Sequence, residues 1–258
     1  MDYETITLTI ANDVATITLN RPDVMNGMNG QMRLDLLHAF KHVPDQARVA
    51  VLTGAGRGFC SGQDLGDRVT SADLDIERTL REEYEPLLRA IYDCPIPVIA
   101  AVNGPAAGAG ANLALAADIV IATESAVFIQ AFARIGLIPD AGGTYWLPRQ
   151  IGFARAMGAA LFAEPVSAAQ AAEWGMIWEA VADEEFAGVV MARATQLAQG
   201  PTKTYGLIKQ ALRTSYDNSL GDQLDNEAHL QGIAGKTRDF TEGVMAFLEK
   251  RPAKYEGR

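Results

Sequence analysis

The sequence predicts an α/β fold, with buried and largely parallel strands alternating with helices and an all-helical segment closing the chain. Three observations predict it. Val49-Ala50-Val51-Leu52-Thr53 and Pro97-Val98-Ile99-Ala100-Ala101-Val102 are short apolar runs without polar alternation, the pattern of strands covered on both faces. Each run feeds a Gly-rich loop, and the strand–loop–helix order then repeats. Beyond about Asp183 only helical patterns remain.

The N-terminus reads as a hairpin. Residues 5–10 and 14–19 alternate polar and apolar side chains, and Asn12-Asp13 supplies the turn. A helix is expected over Gly30–His42, with Met32, Leu34, Leu36, Leu37 and Phe40 as its apolar positions. The first buried strand ends in Gly54-Ala55-Gly56-Arg57-Gly58-Phe59-Cys60-Ser61-Gly62. A polar and mobile stretch is expected next, then a helix over Asp75–Tyr92. The second strand is followed by a Gly-rich turn and an Ala-rich helix over Ala106–Leu115, then a strand over Asp118–Ala122. Helices are expected near 184–199, 202–213, 218–234 and 237–249, punctuated by Gly200-Pro201, Gly221 and Gly235.

Composition narrows the function. The chain has 258 residues, 48% hydrophobic and 21% charged, enough for a sizeable core and unlike a disordered or fibrous protein. Its formal charge of −10 argues against nucleic acid and against an anionic membrane surface as partners. Two cysteines exclude a disulfide scaffold. Cys94–Ala117 is 24 residues long and uncharged, but Pro95, Pro97, Pro105, Asn103, Gly104 and Asn112 interrupt it, so it reads as strand, turn and helix rather than a membrane span. The N-terminus shows no secretory signal pattern. The expectation is a cytoplasmic protein with no membrane or nucleic-acid partner.

The two Gly-rich turns are candidates for carrying chemistry, with ordinary tight turns at strand ends as the alternative reading. A helix N-terminus offers unpaired N–H groups and about half a positive charge, so Gly108-Ala109-Gly110 can receive a developing oxyanion. Missing side chains let a ligand approach the backbone. The loops fit neither a dinucleotide fingerprint nor a P-loop.

Taken in order, Asn20-Arg21-Pro22, Leu52-Thr53-Gly54, Gly58-Phe59-Cys60-Ser61-Gly62-Gln63-Asp64-Leu65, Pro97–Gly104, Ala107-Gly108-Ala109-Gly110 and Gly136-Leu137-Ile138-Pro139-Asp140-Ala141-Gly142-Gly143 resemble the successive signatures of the crotonase, or enoyl-CoA hydratase/isomerase, superfamily. The resemblance spans essentially the whole chain. It implies a crotonase-type spiral of ββα units over 1–198 and a helical trimerisation region over 199–258, hence a homotrimer or a dimer of trimers. It also implies an acyl-CoA thioester as substrate, CoA being part of that substrate and no separate cofactor or metal being needed. The thioester oxygen would sit between the backbone N–H groups of Gln63 and Ala109. Gly62, Asp64, Gly108, Gly110 and Phe132 would line the site, while Arg21 and Lys254 would help hold CoA.

Family hydratases use two glutamates, and the matching positions here are Asn112 and Phe132. With both acids missing, nothing obvious activates and protonates water, and hydration is disfavoured. Asp140 is the acid that appears instead. It reads either as the N-cap of a short helix containing Trp146 and Leu147, or as a base. Isomerase-like members of the family, including ring 1,2-epoxyphenylacetyl-CoA isomerases of phenylacetate breakdown, resemble the chain in carrying this aspartate. One base suffices to move a double bond from β,γ to α,β, in a dry pocket expected from Phe128, Ile129, Phe132, Ile135 and Leu137, where desolvation raises its pKa. The reading is therefore an acyl-CoA isomerase acting on a β,γ-unsaturated or ring-epoxide/oxepin thioester. Hydration, thioester hydrolysis, dehalogenation or a non-catalytic RNA- or CoA-binding role are the alternatives.

Other candidates are weaker. His38 and His42 share a helix face without a third ligand, and His229 stands alone. Cys60 lacks a nucleophile elbow. Asp64 reads as a loop-ordering carboxylate, with Asp67 flanking the same loop, and Glu82, Glu83 and Glu85 as a solvated helix face. Glu256 stands where many family members carry a CoA-binding lysine, which leaves that contact to Lys254 or Lys250.

Overall fold

The computed structural model describes residues 2–64, 66 and 75–258. The hairpin forms as expected: β1 (Ile6–Ala11) pairs antiparallel with β2 (Val14–Leu19). Asn12 and Asp13 turn it at φ 52° and 62°, the left-handed values a two-residue hairpin turn needs. From β2 onward every neighbour in the main sheet is parallel. β3 (Val49–Gly54), β4 (Val98–Val102), β6 (Ile119–Thr123) and β9 (Glu179–Val181) add in turn, giving the order β1-β2-β3-β4-β6-β9.

Both faces of that sheet are covered, which is why β3 and β4 lack alternation. One face presents Ile17, Leu19, Leu52, Ala100 and Val102 to the main core. The opposite face sets Val49, Val51, Ile99 and Ile121 against Val190, Ala194 and Ala198, three residues spaced four apart on α7 (Phe186–Ala198). Full burial of an Ile, Leu or Val contributes about 1.5–3 kcal/mol each.

A second, three-stranded sheet has the order β5 (Ala106–Ala107), β7 (Val127–Ile129), β8 (Val166–Ser167). Isolated bridges extend its line across the loops: Cys60 pairs with Ala106, and Met28 with Gln63. Each turn of chain thus contributes a strand to the main sheet, a short extended stretch to this second layer and a helix. The Ala-rich helix α4 begins at Ala109 and ends at Leu115, later than expected, because Ala106 and Ala107 are spent on β5.

α1 (Gly30–His42) matches its expectation, with Asn29 Oδ1 accepting the Met32 N–H at 2.9 Å as N-cap, but Leu34 faces outward at 58% exposure. α2 (Ile76–Thr79) and α3 (Glu85–Tyr92) are joined by a single π turn at Leu80–Tyr84. The expected mobile stretch falls mostly outside the described residues. α5 (Gly143–Phe162) is 20 residues long, with a break at Gly152, rather than a short helix. α6 (Ala168–Trp174), α8 (Thr202–Thr214), α9 (Leu220–Ala234) and α10 (Arg238–Glu249) complete the chain.

The last residues fold back. Asp239 accepts the N–H groups of Glu256 and Gly257 at 2.7 and 2.8 Å, and Arg48 donates to the Tyr255 carbonyl. Among the described residues no helix is long and apolar enough to cross a membrane; the uncharged 94–117 stretch is β4, β5 and α4.

Candidate active site

The second sheet brings the two Gly-rich loops together. The Met28 N–H donates to the Gly62 carbonyl at 2.8 Å and the Asp64 N–H returns to the Met28 carbonyl at 3.1 Å. Next to them, the Ala107 N–H donates to the Cys60 carbonyl at 2.9 Å, and the Gly108 N–H to Ile129 at 2.8 Å. Gln63 therefore ends one loop beside the start of α4, where Ala109 is the first helical residue. Among the described residues, no acceptor is bonded to the N–H of either Gln63 or Ala109. Ala109 is free for a general reason: the first N–H groups of a helix have no intrahelical acceptor.

Two glycines make this approach possible. Gly62 has φ +95°, and a Cβ there would lie 2.8 Å from the Ala107 carbonyl oxygen and 3.4 Å from Ala109 N. Gly110 packs so closely on Cys60 that a Cβ would collide with its carbonyl oxygen. Gly108, at φ +53°, faces Phe132, whose ring tip would sit 3.8 Å from an added Cβ. Phe132 is 6% exposed and so closes this corner.

The backbone of Asp140 is tied to α4 through Asn112, one turn into that helix. Asn112 is fully buried, donates from Nδ2 to the Asp140 carbonyl at 2.7 Å and accepts from Gln130 Nε2 at 2.9 Å. A Cβ on Gly143 would collide with the Asn112 amide, so α5 can start there only as glycine. The N-cap reading of Asp140 is overturned: Gly142 caps α5 without any side-chain bond, and Asp140 contributes only its carbonyl, to the Gly143 N–H at 2.8 Å. Its Oδ1 is buried without a hydrogen-bond partner among the described residues, and desolvation raises the carboxyl from an ordinary 3.8 to about 6.

Asp140 lines a cavity of about 590 Å³. Its walls correct the expected pocket. They come from Leu80, Tyr84, Leu88 and Tyr92 on the helix over 76–92 and from Ile138, Pro139, Tyr145 and Trp146, not from Phe128, Ile129, Phe132, Ile135 and Leu137. Phe128 is buried in β7 under β5, and Ile135 is 59% exposed. Tyr92, Tyr145 and Trp146 form an edge-packed aromatic cluster at one end, with centroids 4.8–6.4 Å apart. Among the described residues, Glu85 is the other carboxylate on the wall, and it is paired with Arg89 at 2.9 Å.

Comparison with known proteins fits this architecture. The enoyl-CoA hydratase/isomerase family model matches residues 9–258. The chain belongs to this enoyl-CoA hydratase/isomerase family. It is 58% identical, over the full length of both chains, to a Rhodobacter capsulatus protein named "Probable enoyl-CoA hydratase". It is 50% identical to the 1,2-epoxyphenylacetyl-CoA isomerase of Escherichia coli, over 96% of this chain and 97% of that one. An enoyl-CoA hydratase crystal structure from Bacillus anthracis superposes with a TM-score of 0.91 at 32% identity, covering 99% of this chain and 100% of that one. The fold is the crotonase fold, and an acyl-CoA substrate fits the family.

The remaining candidates of this family member separate clearly. Arg21 donates to Asp64 at 2.8 Å and to the Gly27 carbonyl at 2.6 Å, and Asp64 also accepts the Gly66 N–H at 3.0 Å, so this pair braces the loop after Gln63. Asp67 lies outside the described residues. Lys254 sits exposed on the folded-back tail, its N–H donating to Glu242 at 2.8 Å. His38 and His42 stack at 4.0 Å, and His38 bonds the Tyr3 hydroxyl. The Cys60 thiol is buried, donates to the Asn26 carbonyl and is pushed up to about 12 by desolvation, which makes it unreactive. Glu83 is no solvated face residue: it binds Arg33, which is 2% exposed.

Sequence reasoning missed Asn26, Arg33, Tyr84 and Gln130. Asn26 is fully buried and donates to the Ala55 and Gly58 carbonyls, holding the first Gly-rich loop. The four-residue spacing of Leu80, Tyr84, Leu88 and Tyr92 was the available signal for the cavity wall.

Proposed function

We propose that the protein is an acyl-CoA isomerase that moves a β,γ double bond to α,β, with ring-oxygenated, phenylacetyl-derived thioesters as natural substrates. The observation that carries the reading is the Asp140 carboxylate, partly desolvated and set on a cavity wall, with its buried Oδ1 bonded to none of the described residues. Proton removal from C2 builds charge on the thioester oxygen, and two fixed N–H donors, from Gln63 and Ala109, stabilise the resulting enolate; each such donor is worth about 2.7–4 kcal/mol. A carboxyl near 6 is ionised at neutral pH yet basic enough to take the C2 proton and return it at C4.

Hydration requires a second acid–base group. Asn112 spends its side chain on Asp140 and Gln130, and Phe132 has no proton to give. The similar proteins carry both kinds of name, hydratase and isomerase, so the site residues favour the choice. The aromatic end of the cavity suits a ring-bearing acyl group. By analogy with the family, a homotrimer or dimer of trimers in the cytoplasm is the proposed working form, with Arg21 and Lys254 near CoA.

A mass-resolved product assay tests the reading, using a 3-enoyl-CoA and a phenylacetyl-derived CoA thioester. The expected product has unchanged mass, and Asp140→Asn loses turnover while still binding thioester. A hydrated product formed at a comparable rate, or full turnover by the variant, overturns it.

A further inference from the structure

Tyr84 is a buried polar group of the cavity wall that the proton-transfer chemistry does not use. It is 2% exposed, sits in the main core cluster and lines the same cavity as Asp140. Its hydroxyl is buried and, among the described residues, finds no acceptor for its proton; the Arg33 guanidinium beside it can only donate. The neighbouring rungs of its helix face differ. Leu80 and Leu88 are apolar, and Tyr92 is packed between Tyr145 and the Arg213 guanidinium, 3.9 Å from the ring centroid.

The Tyr84 ring is held firmly. Arg33 lies 4.9 Å from its centroid, and Arg33 is itself fixed by Glu83 and the Met28 carbonyl. The π turn ends at Tyr84, a local distortion of a kind that clusters at functional sites. Burial raises its pKa and outweighs the opposing Arg33 charge, with Asp140 adding to the rise, so the phenol stays a neutral donor at physiological pH. A phenylalanine would fill the same space without burying an unsatisfied donor, an arrangement that is disfavoured unless a ligand completes it.

We infer that Tyr84 is a specificity residue whose hydroxyl donates to an oxygen atom carried by the acyl group, so that the site selects ring-oxygenated acyl thioesters, such as an epoxide or cyclic ether, over all-carbon enoyl chains. This rests on the isomerase reading for the identity of the cavity as the acyl site, and not for the hydrogen bond itself. Tyr84 takes no part in moving the C2 proton.

The test is Tyr84→Phe, read as discrimination. The ratio of kcat/KM for a ring-oxygenated thioester to that for a 3-enoyl-CoA of similar size is expected to fall about 10–100-fold in the variant. A ratio unchanged within about twofold, whatever the absolute rates, overturns the assignment. Calorimetric binding of two non-isomerisable CoA thioesters, one with a cyclic-ether acyl group and one with its all-carbon counterpart, separates this inference from the isomerase reading. Wild type is expected to prefer the ether by about tenfold or more and the variant to lose that preference, even if no substrate turns over. Equal preference in both proteins refutes the role of Tyr84 and leaves the isomerase reading untouched.

Discussion

Replacing Asp140 by Asn is expected to remove activity and to make the protein more stable at neutral pH. On folding, the carboxyl rises from an ordinary 3.8 to about 6 through burial, with no donor bonded to Oδ1 to offset it. Because the folded-state value is the higher one, the native state carries no penalty while the group is protonated in both states, below about pH 4. The penalty grows as pH rises toward about 6 and is constant above it. For a dry site the rise corresponds to about 3 kcal/mol, and solvent in the cavity screens this to about 1–2 kcal/mol. Asparagine keeps the shape of the neutral acid without its charge, and the Asn112 contact goes to the backbone carbonyl, which the substitution leaves in place.

Denaturant unfolding followed by tryptophan fluorescence measures the effect, with Trp146 lining the same cavity. The variant should exceed wild type by about 1–2 kcal/mol near pH 8, and the two should converge near pH 4. A variant less stable than wild type at pH 8, or a difference that does not change with pH, would refute the reasoning that Asp140 is held in a destabilising, desolvated state.

The remaining predictions concern the scaffold and the working pH. The kcat/KM for isomerisation should climb with pH through about 6 and then level, because the base must be ionised; a limb falling with pH there contradicts the assignment. Asn112→Ala removes the 2.7 Å anchor on Asp140 and leaves Gln130 unpaired, so a loss of about 1–3 kcal/mol of stability together with a fall in kcat is expected from unfolding and steady-state assays. Gly62→Ala forces a side chain onto the Ala107 carbonyl at φ +95°, and thioester binding measured by calorimetry should be lost while the circular dichroism spectrum persists. Asp118→Ala removes the counter-charge of Lys209 and Arg213, which bind it at 2.7 and 2.5 Å in a largely buried triad, and should cost about 3–5 kcal/mol of unfolding free energy.

The buried strands, the hairpin and most helices were legible because their signals are local. Period and punctuation mark Val49–Gly54, Val98–Val102 and Gly30–His42, and a two-residue polar turn at Asn12-Asp13 admits one hairpin register. The two Gly-rich loops were also legible as turns, but the glycine pattern alone fits ordinary tight turns at strand ends, and it was the family resemblance that pointed to Gln63 and Ala109 as main-chain donors. The start of α4 was not, because whether Ala106 joins a helix or a strand depends on Cys60 and Phe128, both far away in sequence.

By itself, then, the sequence determined the α/β spiral, the two glycine loops and the absence of acids at 112 and 132. Only the tertiary structure decided where the Asp140 carboxylate stands. Adjacent residues suggested a helix cap, but the cap position went to Gly142, and the carboxylate was left facing a cavity whose opposite wall comes from the helix over 76–92. The same is true of Tyr84, Arg33 and Glu83, which read as parts of an ordinary polar helix until α1 and the π turn bring them together. The physical reason is that burial and unsatisfied hydrogen bonds are properties of packing between distant segments, and no local pattern records them.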